Sequence, residues 1–426
     1  MFHRFESLAA EAPGTPAIIE ATSGRTTTRG ELLARALELA AGLRAGELVP
    51  LQLPNSVDFV ATILAVMRKR AVAMLIDRDA SDAEVARITA HFGRRPKLPE
   101  GARIIKLTSG STGNPRGIVT TEENLVADCE NICRSMEIRA DDVNFGAIPL
   151  SHSYGFSNLV TPLIGQGTAL VFSNSYLPQT IIDYCNRYRC TVLPGIPMMF
   201  DHLASTDRDH GSFDTVRLFI SAGAPLPATT SRRFRERFGK SIHSFYGCSE
   251  CGGITYDREG AAVERGTVGR AMEGVRLSTN GTRLVVHSSA AALGYLHDAT
   301  NFEPFGQGKF ITDDLVEMRD GEIALTGRVS DLINIAGKKV NPREVEQVIL
   351  QIEGVRQVKV YGEPAGARGD VVAAAIVANP NVTREEVRTF CQERLSSHKV
   401  PRIVKLIESM PVDDRGKITR SALAEL

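Results

Sequence analysis

The sequence has no excess of either charge: 50 Lys and Arg stand against 50 Asp and Glu. That balance removes the electrostatic footprint of a generic nucleic-acid or anionic-membrane binder. No apolar run approaches the ~20 residues that a membrane helix needs; the stretch over residues 59–67, broken only by Thr62, is far shorter. The N-terminus has no cationic stretch followed by an apolar one, so no secretory signal is expected. There is no internal repeat and no low-complexity tract. Cysteines number only 7, an odd and scattered set that describes no disulfide framework. Cys248-x-x-Cys251 has redox or zinc spacing but no second Cys/His pair at a finger-like distance, and it reads as two reduced cysteines in a turn. Cys129 and Cys133, four apart on a predicted helix, read as small buried hydrophobes. What remains is an ordinary globular composition, 43% apolar and 23% charged, in 426 residues. That length exceeds one hydrophobic core and suggests two or three domains. A soluble, cytoplasmic enzyme is the expectation.

Hydrophobic periodicity places a helix over residues 30–45, a short strand over 47–53 and a second helix over 56–70 behind a Ser56 cap. Residues 72–76 read as a buried strand. Helices and strands keep alternating to about residue 245, the pattern of an α/β architecture. From 262 to 326 the texture becomes short β runs with glycine turns, at residues 283–287, 315–318 and 322–325. Strands at 355–361 and 371–377 and a helix capped by Thr383 close the chain. A domain boundary is placed at Gly327-Arg328, giving a compact domain over 1–327 and a smaller one over 328–426.

Chemistry concentrates in a few segments. Thr108, Ser109, Gly110, Ser111, Thr112 and Gly113 follow the apolar pair Ile104-Ile105 and precede Arg116. Glycines among hydroxyl residues let backbone N–H groups and hydroxyls converge on phosphate oxygens. The segment reads either as a turn-rich surface loop or as a polyphosphate cradle. It is not a Walker loop, because the terminal lysine of that pattern is absent. Further on, Tyr246, Gly247, Ser249 and Glu250 join an aromatic, a turn, a hydroxyl and a carboxylate. A carboxylate beside polyphosphate suits Mg²⁺, which takes one or two carboxylates plus phosphate oxygens. In isolation the same residues read as a core tyrosine and a solvated glutamate.

Taken together, these segments resemble the adenylate-forming superfamily of acyl-CoA synthetases, carrier-protein adenylation domains and beetle luciferases, from about residue 26 onward. The 108–117 segment resembles the family's phosphate loop, and Ser221-Ala-Gly-Ala-Pro-Leu226 its adenine-side turn. Tyr246-Gly-Cys-Ser-Glu250 is similar to its Tyr-Gly-x-Thr-Glu motif. Phe310-Ile-Thr-Asp-Asp-Leu315 is similar to the motif with the ribose-binding aspartate, and residues 327–346 to the hinge and following loop. His398-Lys-Val-Pro401 with Gly416-Lys-Ile-Thr-Arg420 is similar to the last motif, with its mobile lysine. The resemblance implies a large multi-layer α/β N-terminal domain with packed sheets and a β-rich subdomain, followed by a small mobile α+β domain.

The activity it implies is ATP-dependent activation of a carboxylic acid to an acyl-adenylate, then transfer to a pantetheine thiol, as an acyl- or aryl-CoA ligase. A carrier-protein-loading enzyme or a degenerate nucleotide- or acyl-binding module are the alternatives. ATP, Mg²⁺ and coenzyme A or a carrier protein's phosphopantetheine are the implied cofactors. The implied roles follow residue by residue. Lys417 contacts the acid carboxylate and α-phosphate, and Glu250 holds Mg²⁺. The 108–113 loop and Arg116 hold phosphates. Gly223, Ala224, Pro225, Tyr246, Gly247 and Ser249 bind the nucleotide, Asp314 and Arg328 the ribose. Ala336 and Gly337 line the pantetheine channel.

His152, Tyr154, Ile196, Ala224 and Phe245 fall on the acid pocket. The segment 147–161 carries no acid to hold a substrate ammonium, which argues against an α-amino acid. The bulk of Phe245 shortens the cavity towards an aryl or short-to-medium acid. The sequence departs from the family at Arg116 (normally lysine), Ser249 (threonine), Asp313 (glycine) and Ser330, the hinge position. The chain is also short for the family, with an outer layer of the N-terminal domain reduced; this reads first as an ordinary surface and alternatively as one covered by a partner subunit or by self-association into a homodimer.

Overall fold

A computed structural model describes residues 1–93, 96–108, 115–173, 175–207, 211–335, 338–364, 370–411 and 423. The chain divides into two compact units. The first comprises Met1–Ser278, Val285–Phe310 and Asp320–Ile323, and the second Thr279–Leu284, Ile311–Arg319 and Ala324–Leu426.

The helices of the first unit start where side chains can satisfy their free N–H groups. Thr28 and Glu31 form a capping box ahead of helix Arg29–Ala41, and Ser56 accepts from the Phe59 N–H ahead of helix Val57–Lys69. That second helix ends at Arg70 in the left-handed conformation, with φ 54°. Among the described residues, helix Asp82–Phe92 is the one element between strand Val72–Leu75 and strand Ala102–Thr108.

Two sheets organise this unit. One runs, in spatial order, through Arg270–Ala271, Gly252–Tyr256, Ile242–Cys248, Leu218–Ser221, Val192–Gly195, Val143–Gly146, Ala169–Phe172, Pro16–Glu20 and Thr26–Thr28. Its central strands are parallel, with Ser221 level with Gly195 on one side and Ser244 on the other. Parallel strands covered on both faces read as nearly continuous apolar runs, and Leu218–Ser221 and Val192–Gly195 are buried throughout. Phe200, Phe219 and Phe234 pack edge-on within the core beside it, and Phe238 lies tilted against Phe234. The second sheet runs Phe302–Pro304, Gly294–Leu296, Arg116–Thr121, Ala102–Thr108, Val72–Leu75, Leu48–Leu51. Cys129 and Cys133 are buried on helix Glu122–Ser135, and both are free thiols.

The starts of three neighbouring parallel strands are tied together by Asp142. One carboxylate oxygen accepts from the Thr191 hydroxyl at 2.6 Å and from Arg217 Nε at 3.1 Å. The other accepts from Arg217 Nη2 at 2.6 Å and the Arg139 N–H at 2.8 Å. Asp142, Thr191 and Arg217 each immediately precede one strand, so the clip fixes their relative heights.

The second unit holds an antiparallel pair, Val355–Pro364 with Asp370–Ala378, extended in parallel by Ile403–Leu406. Helices Pro342–Ile349 and Arg384–Arg394 cover it, the latter behind a Thr383–Glu386 capping box. Val345, Ile349, Val360, Ile376, Val387 and Cys391 form its core. Among the described residues, no helix is long and apolar enough to cross a membrane.

Burial works against the charge of Asp142, but Arg217, the Thr191 hydroxyl and the Arg139 N–H outweigh it and hold the carboxyl below its ordinary range. A depressed folded value contributes stability above the unfolded value of ~3.9, lost as pH falls through the folded one. Asp142→Ala should therefore destabilise the protein by about 1–3 kcal/mol at neutral pH. Against wild type, that difference should shrink below about pH 4 in urea unfolding followed over pH.

Candidate active site

Residues at the carboxyl ends of adjacent parallel strands are the natural place for a ligand, because loops diverge there and leave a crevice. In the first sheet four such ends carry the candidate residues. After strand Val143–Gly146 comes the segment with His152 and Tyr154; after Val192–Gly195 comes Ile196. Gly223, Ala224 and Pro225 follow Leu218–Ser221 and are exposed. Phe245, Tyr246 and Gly247 close strand Ile242–Cys248, with Ser249 and Glu250 in the turn beyond it.

Close packing constrains this end of the sheet. Gly223 has φ +86°, a conformation open to glycine, and a Cβ there would lie 3.6 Å from Ile196. A Cβ on Gly247 would meet the Gly252 carbonyl at 2.5 Å, and one on Gly155 the Pro149 carbonyl at 2.0 Å. The Tyr154 hydroxyl donates to the Ile220 carbonyl at 2.9 Å and the Gly195 carbonyl at 3.3 Å. Its ring, not its hydroxyl, is therefore what the segment offers, and it lies 5.8 Å from the Phe245 ring. His152 precedes the short helix Ser153–Gly155, and Ser153 donates to Ser249 Oγ at 2.6 Å. The histidine segment and the glutamate turn are thus directly joined.

The second sheet supplies the other half of this site. Thr108 and Arg116 face each other across an antiparallel ladder, with Leu107 opposite Gly117. The glycine- and hydroxyl-rich segment is thus the connection of a β-hairpin whose two ends are pinned. Ser109, Gly110, Ser111, Thr112 and Gly113 lie outside the described residues, as do Ala336, Gly337 and Lys417. The next strand pairs Tyr295 with Ile118 and Leu296 with Gly117. Directly paired residues share a face and alternate along each strand. Lys106, Thr108, Arg116, Ile118 and Tyr295 therefore share one face, while Ile105, Leu107, Val119 and Leu296 pack into a core on the other.

Tyr295 is a site residue that the sequence motifs do not flag. Its hydroxyl donates to Glu250 Oε1 at 2.8 Å. The Arg116 guanidinium carbon stands 4.4 Å above its ring, a cation–π arrangement. Burial first, then the charge of Glu250, push the Tyr295 phenol well above its ordinary value, so it stays a donor. The carboxylate keeps lone pairs for another partner, since an ionised glutamate has about four acceptor sites. This donor set of carboxylate and hydroxyls suits Mg²⁺. Among the described residues no group of three or more His, Cys, Asp or Glu could hold a metal by itself; Mg²⁺ beside phosphates needs only one or two carboxylates.

In the second unit, Arg328 Nε donates to Asp314 Oδ1 at 2.7 Å. Asp314 is 6% exposed, and its N–H donates to the Thr312 hydroxyl at 3.2 Å. Asp313 accepts from the Ser330 N–H at 3.0 Å. Of the basic residues near the C-terminus, Lys399 pairs with Glu344 at 2.6 Å and Lys405 with Glu363 at 2.9 Å. Cys248 and Cys251 are free, with sulfurs 3.1 Å apart.

A hydrogen bond to a charged group contributes about 1.5–3 kcal/mol. Tyr295→Phe removes the hold on Glu250 while keeping the ring beneath Arg116. It should weaken metal-dependent ATP binding, read by calorimetry, about tenfold or more with little change in thermal stability.

Residues 5–96 and 94–279 match the family of AMP-binding enzymes, and residues 344–417 match the AMP-binding enzyme C-terminal domain. YngI of Bacillus subtilis, whose name describes an acyl-CoA synthetase, is 29% identical over 86% of this chain and 71% of its own. A feruloyl-CoA synthase of Amycolatopsis is 26% identical over 88% of this chain and 78% of its own. The crystal structure of ATP-bound MatB from Rhodopseudomonas palustris superposes with TM-score 0.85 at 24% identity, covering 100% of this chain and 98% of that one. With the paired sheets, the hairpin and the Glu250 turn in place, the chain belongs to the AMP-binding enzyme family, within the adenylate-forming superfamily.

Proposed function

We propose that the protein couples ATP to the activation of a small carboxylic acid, forming an acyl-adenylate and pyrophosphate, and then passes the acyl group to the thiol of coenzyme A with release of AMP. The observation that best supports this is Glu250, oriented by Tyr295 next to the pinned phosphate hairpin and bonded through its neighbour Ser249 to the histidine segment. The relatives that share the family carry names of acyl- and aryl-CoA ligases.

Carboxylate attack on the α-phosphorus brings two anions together, so positioning and fixed cations dominate the catalysis. Glu250 would hold Mg²⁺, which neutralises phosphate charge when bound. Arg116 and the 108–113 segment would hold the outer phosphates, and Gly223–Pro225 with Tyr246 the adenine side. Asp314, oriented by Arg328, would accept from the ribose hydroxyls. Lys417 would bridge the acid carboxylate and the α-phosphate. The functional boundary stays at Gly327-Arg328, with residues 328–426 turning about Ser330 between the adenylating and thioester-forming arrangements. In the latter, Ala336 and Gly337 would line the pantetheine channel.

His152, Ile196, Ala224, Phe245 and the Tyr154 ring would line the acid pocket. Two aromatic rings 5.8 Å apart favour a flat or short acid. Feruloyl-CoA synthase and 4-hydroxybenzoate–CoA/benzoate–CoA ligase among the relatives agree with an aryl acid.

Acid-dependent exchange of labelled pyrophosphate into ATP tests the first half-reaction across an aryl and aliphatic panel; exchange with no acid at all would sink the reading. Lys417→Ala should lower exchange by at least about a hundredfold, and unchanged exchange would remove its role. The best acid, offered with coenzyme A and with a carrier protein, should give thioester on coenzyme A. Phe245→Ala should shift kcat/KM towards longer acids by about tenfold; an unaltered preference would place Phe245 outside the pocket.

A further inference from the structure

Beneath the turn that carries Glu250 lies a pair of buried charges that no family motif includes. Asp128, on helix Glu122–Ser135, is 2% exposed and Lys106, two residues before Thr108, is 4% exposed. Asp128 Oδ1 accepts the Gly253 N–H at 2.9 Å, and Oδ2 accepts the Ser157 hydroxyl at 2.6 Å. Gly252 has φ +68°, and a Cβ there would lie 2.1 Å from Asp128 Oδ1. The carboxylate thus fits against a backbone that only glycine can provide.

Gly252 and Gly253 directly follow the 248–251 turn, and Ser157 lies in the segment after His152. With the Ser153–Ser249 bond, the histidine segment and the Glu250 turn are joined at two points, one of them through Asp128.

Lys106 is the buried lysine whose ammonium Asp128 favours, although the two make no ion pair within 4 Å. Burial holds its ammonium below the ordinary lysine range, opposed chiefly by Asp128 and then by Cys248 and Glu250. Its Nζ stands 5.8 Å from the Phe156 ring, in that same histidine segment. An isolated buried carboxylate is strongly unfavourable, and apolar replacements of buried ion pairs are often neutral or stabilising. Stability alone gives little reason for this pair. Its contacts run instead to the two segments that must hold one geometry around the reacting groups.

We propose that Asp128, with Lys106 as its counter-charge, is a positioning residue. It locks the metal-binding turn to the acid-binding segment, so that metal–ATP affinity is set through it. This rests on the assignment of Glu250 as metal ligand.

Mn²⁺ titrated into the full chain with ATP, with free Mn²⁺ read by its paramagnetic resonance signal, tests it. Asp128→Ala should weaken Mn²⁺–ATP binding about tenfold or more. Asp128→Asn keeps an acceptor for Gly253 and a donor for Ser157; combined with Lys106→Met it should return to within about threefold of wild type. Lys106→Met alone, which leaves Asp128 uncompensated, should bind worse than that double variant. Wild-type affinity in a folded Asp128→Ala protein overturns the proposal. Should that variant fail to fold, losses in Lys106→Met and Asp128→Asn that add in the double variant overturn it instead. A wild-type protein that takes no Mn²⁺ with ATP would overturn the metal assignment itself, a failure distinct from unchanged variants of a wild type that binds.

Discussion

Strand register in the second sheet is the constraint on which the Glu250 site depends. Side chains alternate between faces with a period of two, so a slip of one residue turns every side chain over. Tyr295 reaches Glu250 because it stands opposite Ile118, and Ile118 stands opposite Lys106. A one-residue slip of the three-residue strand Gly294–Leu296 would aim Tyr295 into the apolar core and Leu296 at the carboxylate. The core prevents it: Leu296 is fully buried beside Ile105 and Val119. Apolar burial on one face thus sets the polar geometry on the other.

The first sheet obeys a complementary rule. Three of its parallel strands are tied at their amino ends by Asp142, Thr191 and Arg217, and these with strand Ile242–Cys248 open at their carboxyl ends into the loops that carry His152, Ile196, Gly223 and Glu250. Rigid strand starts and divergent strand ends let loops hold chemistry without disturbing the core. Glycines at Gly155, Gly223, Gly247 and Gly252 then allow close approach where a side chain would collide or the backbone must turn left-handed.

Much of this was legible in the sequence, and the reasons are local. Helix starts at Ser56 and Thr383 announce themselves because capping involves residues three apart. The buried strand at 72–75 shows as an apolar run. Glu250 is visible because its motif is contiguous. Tyr295 was not, because its partner Ile118 is remote in sequence and its strand is too short for periodicity to register. Lys106 sits in the run Ile104-Ile105-Lys106-Leu107, where one lysine reads as a solvated interruption. Asp128 lies next to Cys129 on an amphipathic helix, and nothing local says that its carboxylate turns inward to Ser157 and Gly253. Lys417 and the 109–113 segment rest on the motif alone.

The departure at Arg116 from the family's lysine acquires a physical reason once Tyr295 is in view. An ammonium is a compact, strongly hydrated charge, whereas a planar guanidinium is weakly hydrated and stacks on aromatic faces. Arg116 does so at 4.4 Å from the Tyr295 ring. Its Nε is buried without a hydrogen-bond partner among the described residues, an arrangement easier for a delocalised cation to tolerate than for a point charge. Tyr295 therefore faces two charges of opposite sign, its ring towards Arg116 and its hydroxyl towards Glu250. The guanidinium's position is coupled through that one side chain to the carboxylate's. Lysine at 116 would keep the charge but lose the planar stacking, and the glutamate's orientation would then rest on the tyrosine's packing alone.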